Sequence, residues 1–213
     1  MFENFLGKSK NYIADILARK TNCDAGWIDT ASEILSKYPD LTEDTLELYT
    51  AEKLVYIKQA LDNYSNDLEF LNLLFKPELN VTQMNIILTA KNNNVSNSWI
   101  AILSNPKLPY NKANYIAQGM INGYNMAEII DIHKFDVDQI YEIYSGIEND
   151  REFRDSGLEG LDYKLYCNIN IPAEKMGIIR HALQLRLDVL INSDGSILIY
   201  KDVDDLMKES PLK

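Results

Sequence analysis

Histidine and cysteine are scarce in this chain, with two of each among 213 residues. Cys23 and Cys167 lie in opposite halves, without the close pairing that clamps a metal or forms a redox motif. They are expected as buried or half-buried thiols in a reducing cytosol. His133 is read at a helix end and His181 within a helix, as capping or solvated groups rather than a two-histidine metal site. No run approaches the ~20 apolar residues of a membrane span, and the N-terminus lacks the uninterrupted apolar core of a signal peptide. The expected location is therefore cytoplasmic, where the sequons at Asn80 and Asn94 are idle. Nucleophile elbows, phosphate-binding loops and dinucleotide glycine patterns are missing. Asp131, Asp136 and Asp138 lack the glycine and terminal glutamate of an EF-hand, and read as a solvated cluster near a helix N-terminus. No catalytic residue, metal or cofactor is expected, and the chain is read as a non-enzyme.

Basic residues are also in deficit, 21 against 32 acidic, for a net charge of -11. The deficit is uneven: residues 41–75 sum to -5, residues 76–127 to +3 and residues 128–164 to -7, while each end block sums to -1. Phosphate contacts need clustered Lys and Arg, so direct nucleic-acid binding is not expected. A protein partner with a basic surface would be attracted instead.

What the chain has in quantity is apolar residues, 46% of the total, placed with a period. Leu54, Met84, Ala113, Ile140 and Met176 serve as anchors of five copies. Three positions later stands an isoleucine each time: Ile57, Ile87, Ile116, Ile143 and Ile179. Six positions after the anchor every copy has a small residue, Ala60, Ala90, Gly119, Gly146 or Ala182. One position before it stands Lys53, Gln83, Lys112, Gln139 or Lys175, and five before it Tyr49, Leu79, Leu108, Phe135 or Ile171. Spacings of 30, 29, 27 and 36 residues between anchors indicate a helical-hairpin repeat array, α-solenoid-like and mainly all-α. The expected organisation is capping helices over 1–40, about five units over 41–190 and a C-terminal cap over 191–213.

Along the chain, residues 2–18 read as an amphipathic helix on Phe2, Phe5, Leu6, Tyr12, Ile13, Ile16 and Leu17. Thr30 and Glu33 read as a capping box opening a second helix that stops before Pro39. Thr42 to Asp62 reads as one long helix and Asp67 to Leu74 as a short one. Val81 to Lys91 and Ser98 to Leu103 form the next pair, and Asn125 with Glu128 caps a helix over Met126 to Ile132. Asn63, Asn93, Asn122 and Asn149, nine positions after their anchors, suit the left-handed residue of a helix end. Lys91 takes a position that is apolar in the other copies and is expected to be exposed. Arg151 to Asn170 reads as a loop or irregular helix. Asp194-Gly195 between two aliphatic runs predicts a β-hairpin over Val189 to Tyr200, followed by a short helix at Val203 to Lys208.

Gln83-Met84 to Ile87, Gln139-Ile140 to Gly146 and Lys175-Met176 to Val189 resemble the QMxxIRxGLxxGLDV repeats of proteins from clostridial mobile elements and phages. The resemblance spans residues 49–190 and is closest over Met176 to Val189; the glycine after the first helix of each unit is kept only as Gly123. It implies an all-helical hairpin array and a mobile-element or bacterial origin, and it implies no activity.

Helical arrays present long rigid surfaces, so the expected function is a protein-binding module. The reading favoured within that class is an inhibitor of a host defence nuclease, anti-CRISPR-like, whose carboxylates meet a basic channel. Asp131, Asp136, Asp138, Glu142, Glu148, Asp150 and Glu152 are the candidate partner-binding residues. Structural or oligomerising arrays, and a non-catalytic subunit of a larger enzyme, are the alternatives.

Overall fold

The computed structural model describes residues 8–20, 23–38, 40–193 and 196–200. Among them the chain is mainly helical, with eleven α-helices, one 3-10 helix and one two-stranded antiparallel sheet. Contacts divide it into two compact units, Met1–Tyr110 and Asn111–Lys213.

In the first unit, α1 (Lys10–Lys20) buries Ile13 and Leu17, one turn apart, and leaves Tyr12 exposed. Phe2, Phe5 and Leu6 of the expected stripe lie outside the described residues. Helix α2 (Ala25–Lys37) opens a turn earlier than Thr30 and Glu33 suggested. Its cap is Asp24, whose carboxylate accepts the Trp27 amide at 2.8 Å, while the Thr30 hydroxyl donates to the Gly26 carbonyl inside the helix. Burial of Trp27, with Nε1 donating to the Tyr49 carbonyl at 3.0 Å, recruits that extra turn.

The single helix expected from Thr42 to Asp62 is two helices, α3 (Glu43–Leu46) and α4 (Ala51–Tyr64). Thr42 and Thr50 each sit in extended backbone and accept an amide three residues on, so a second threonine cap competes with helix continuation. Helices α5 (Leu68–Leu74), α6 (Val81–Asn92) and α7 (Asn97–Leu103) follow where the periodicity placed them. Asp67 caps α5, and Asn80 with Gln83 forms a reciprocal capping box on α6.

The second unit comprises α8 (Tyr110–Ile121) from its second residue, a single turn α9 (Met126–Ile129), α10 (Val137–Asp155), a 3-10 helix (Tyr163–Tyr166), α11 (Ala173–Gln184) and strands β1 (Asp188–Ile191) and β2 (Ile197–Tyr200). Helix α9 stops three residues short of Ile132: Ile130 is extended, and the Asn125 side chain makes no capping bond. The hairpin forms with Asp188 opposite Tyr200 and Ile191 opposite Ile197. Its turn residues Asp194 and Gly195, and the helix expected at Val203 to Lys208, lie outside the described residues.

The aligned positions carry the same physical duties. All five anchors, all five isoleucines and all five small residues are buried. A Cβ on Gly119 would meet Met126 Cγ at 2.8 Å, and one on Gly146 would meet Tyr163 Cβ at 2.9 Å and overlap the Tyr166 hydroxyl. The polar residue before the anchor reaches a backbone carbonyl at the start of the following copy. Lys53 Nζ donates to Pro77, Gln83 Nε2 to Leu108, Lys112 Nζ to Phe135 and Gln139 Nε2 to Ile171, at 2.5–2.9 Å. Such a bond satisfies a carbonyl that would otherwise be stranded away from water.

Helix ends also recur, one position later than the asparagines suggested. Asn94, Gly123 and Arg186, ten after their anchors, are the left-handed residues, with φ of 62°, 86° and 59°. The next amide in each case returns to the carbonyl of the buried small residue, Ala90, Gly119 or Ala182. Helix α10 runs past this point and closes at Gly157 instead, with φ of 74°. Lys91, expected to be exposed, is half-buried: it pairs with Asp67 at 2.6 Å, donates to Asn97 and lies over the Tyr64 and Phe70 rings. A cation fills an apolar position there because a carboxylate and two ring faces receive it.

Candidate protein-binding face

Helix α10 buries Ile140, Ile143 and Ile147 on one side. Helical spacing therefore puts Asp138, Tyr141, Ser145, Glu148 and Glu152 on the other, and of these Asp138, Tyr141 and Glu152 are exposed. Tyr141 is tilted against Tyr115 of α8, ring centroids 5.3 Å apart, and Tyr115 meets Tyr144 at 5.8 Å. Burial, followed by the charge of Glu148, raises the Tyr144 phenol above its ordinary value, so it stays a neutral donor. Glu148 receives Arg151 Nη2 at 3.1 Å and the Asn122 amide, and Arg151 Nη1 also donates to Asn122 Oδ1 at 2.6 Å. This triangle fixes the far end of the tyrosine cluster.

The seven carboxylates predicted from sequence are placed differently from one another. Asp138, Glu148 and Glu152 share the exposed side of α10 with Tyr141. Asp136 is the N-cap of that helix, accepting the Gln139 amide at 2.8 Å. Asp131 lies on the preceding turn, where the hydrogen bond from Lys134, above all, holds its carboxyl below the ordinary value. Glu142 is half-buried and paired with Arg180 Nε of α11 at 2.8 Å. Asp150 is turned inward, 3% exposed, accepting the Leu161 amide and Arg154 Nε.

Sequence reasoning missed the tyrosines. Tyr141 and Tyr144 are one turn apart on the most acidic helix, and Tyr115 occupies the register of α8 that Glu142 occupies on α10. The three tyrosines thus stand at three different offsets from their anchors, so the alignment of the copies gave no signal for the cluster, and tyrosine is common throughout the chain. His133 and His181 are both exposed, and no metal-holding group of His, Cys, Asp or Glu exists among the described residues. The Cys167 thiol is pushed up to about 12 by burial and donates to the Tyr163 carbonyl, which makes it a packing residue rather than a nucleophile. No helix among the described residues is long and apolar enough to cross a membrane. Comparison with protein-family models, curated proteins and solved structures finds no match to this chain.

Proposed function

We propose that the chain is a non-catalytic helical-hairpin repeat array that binds a protein through the tyrosine and carboxylate face of α8 and α10. The observation that carries this is the Tyr115, Tyr141 and Tyr144 cluster, flanked along one helix side by Asp138, Glu148 and Glu152. Tyrosines held by neighbours lose little freedom on binding and are enriched among interface anchors. The carboxylates around them favour a partner with a basic surface. Asp131, Asp136 and Glu142 flank this face as a turn residue, a cap and an ion pair, whereas Asp150 is turned inward, away from it. An inhibitor of a host defence nuclease, anti-CRISPR-like and from a phage or mobile element, fits the acidity and the resemblance over Met176 to Val189. The test is affinity capture with the parent and with Tyr141→Ala/Asp138→Lys/Glu152→Lys. A basic protein retained by the parent and lost by the variant supports the reading, and identical captures remove it.

Self-association is the second reading, favoured by the exposed apolar residues Ile178 and Leu185 on α11 and Leu190, Leu198 and Ile199 on the hairpin. Light scattering at increasing concentration tests it: a Leu185→Glu variant that stays monomeric where the parent dimerises supports an oligomerising array.

A further inference from the structure

Insertions in repeat proteins map to loops on one face, often the binding face, and here the long fourth spacing adds two turns to α10, the left-handed turn at Gly157 and the loop leading to the 3-10 helix. This added chain lines a cleft of about 680 Å³, within the usual range for small-molecule sites. At its floor the buried Asp150 carboxylate accepts Arg154 Nε at 3.0 Å through both oxygens and the Leu161 amide at 2.7 Å. The Arg154 guanidinium lies across Gly160, where a Cβ would overlap it, so a glycine is required for the arginine to lie as it does.

The loop is held in place from two sides. Leu158 N–H donates to the Phe153 carbonyl at 2.9 Å, and Arg186, stacked 4.4 Å from the Phe153 ring centroid, donates to the Glu159 carbonyl at 2.6 Å. The cleft is thus preformed.

Its lining carries both signs. Arg154, Lys164, Glu159 and Asp162 all line it, together with Tyr124 and Tyr163, whose rings meet edge to face at 6.3 Å. A simple anion would share the cleft with two carboxylates, and a simple cation with two basic groups. A zwitterion answers both. The bonds to Asp150 run through Nε, which leaves the terminal nitrogens of Arg154 for a carboxylate. We propose that this cleft binds a free α-amino acid, its carboxylate on Arg154 and Lys164, its ammonium on Glu159 and Asp162, and its side chain against the two tyrosines. The site is independent of the α10 face and of any protein partner.

The experiment is a nuclear magnetic resonance titration of the full chain with each of the twenty amino acids. At least one should shift the Gly160, Leu161 and Tyr163 amides saturably, while its N-acetyl and methyl-ester forms bind about ten-fold more weakly, as loss of one charge-assisted hydrogen bond requires. Arg154→Gln should abolish the shifts. Because that change also touches buried Asp150, the exposed Asp162→Asn serves as the second variant: it should weaken the free amino acid and leave the N-acetyl form unchanged. Shifts by no amino acid overturn the proposal. Equal binding of free and N-acetylated forms also overturns it, in favour of a carboxylate-only site such as a peptide C-terminus would fill.

Discussion

Gly119 and Gly146 hold the same aligned position, but their neighbours differ in how far they can yield. The Met126 thioether facing Gly119 can swing aside, whereas Tyr163 Cβ facing Gly146 is fixed by its own backbone. Leucine at either position should cost about 1–3 kcal/mol through overpacking. Alanine should separate them, with Gly146→Ala lowering the denaturation midpoint more than Gly119→Ala. Leucine variants that unfold with the parent would mean these glycines face solvent. Lys91 supplies a second test at this scale. Its hydrogen bond, first among several causes, lowers the Asp67 carboxyl from its ordinary 3.8. A depressed carboxylate stabilises the fold above that ordinary value and loses the contribution as pH falls through the folded value. Lys91→Met should therefore be destabilised relative to the parent at pH 7, and the gap should narrow below pH 3.8. A gap independent of pH would assign the role of Lys91 to its ring contacts alone.

At the level of elements, the buried face of the aligned helices was legible, because a period of 3.6 records burial directly: anchors, isoleucines and small residues all reached the core. Ends were less legible. Asp24 and Thr50 cap through their own bonds to amides three residues on, and what local pattern does not encode is the Trp27 bond to the Tyr49 carbonyl, between residues 22 positions apart. The asparagine recurring nine positions after the anchors points to Asn93, whereas the left-handed residue is Asn94, one position on, where the other copies have Gly123 and Arg186 and no residue type recurs. The candidate face was legible as charge but not as shape: the carboxylates could be counted, while the turning inward of Asp150 and the pairing of Glu142 depend on Leu161 and Arg180, 11 and 38 residues further on. The polar residue before each anchor makes a sharper prediction. Since Gln83 and Gln139 make the bond that Lys112 makes, Lys112→Gln should hold stability to within about 1 kcal/mol, whereas Lys112→Met should cost about 1–3 by stranding the Phe135 carbonyl. Urea melts of both variants decide it.

For the whole molecule, the alternation of charge along the sequence, from +3 over residues 76–127 to -7 over residues 128–164, should govern encounter more than residence. Asp138→Lys/Glu152→Lys leaves the cap at Asp136 and the Glu142 pair with Arg180 in place. It should slow association with a basic partner at low salt, the deficit shrinking as the Debye length falls to about 8 Å at physiological strength. On-rates that match the parent at every salt concentration would assign these carboxylates to solubility. The bonds from the residue before each anchor carry one further consequence, for the order in which the protein comes into being. Donor and acceptor are separated by 24, 25, 23 and 32 residues, so no such bond waits for a distant part of the chain. Proteins whose contacts are this local fold fast, and synthesis from the N-terminus lets early segments fold before later ones exist. On the ribosome, each such bond can close as soon as the next 23–32 residues have emerged, so that protection from protease should arise in steps as the nascent chain lengthens.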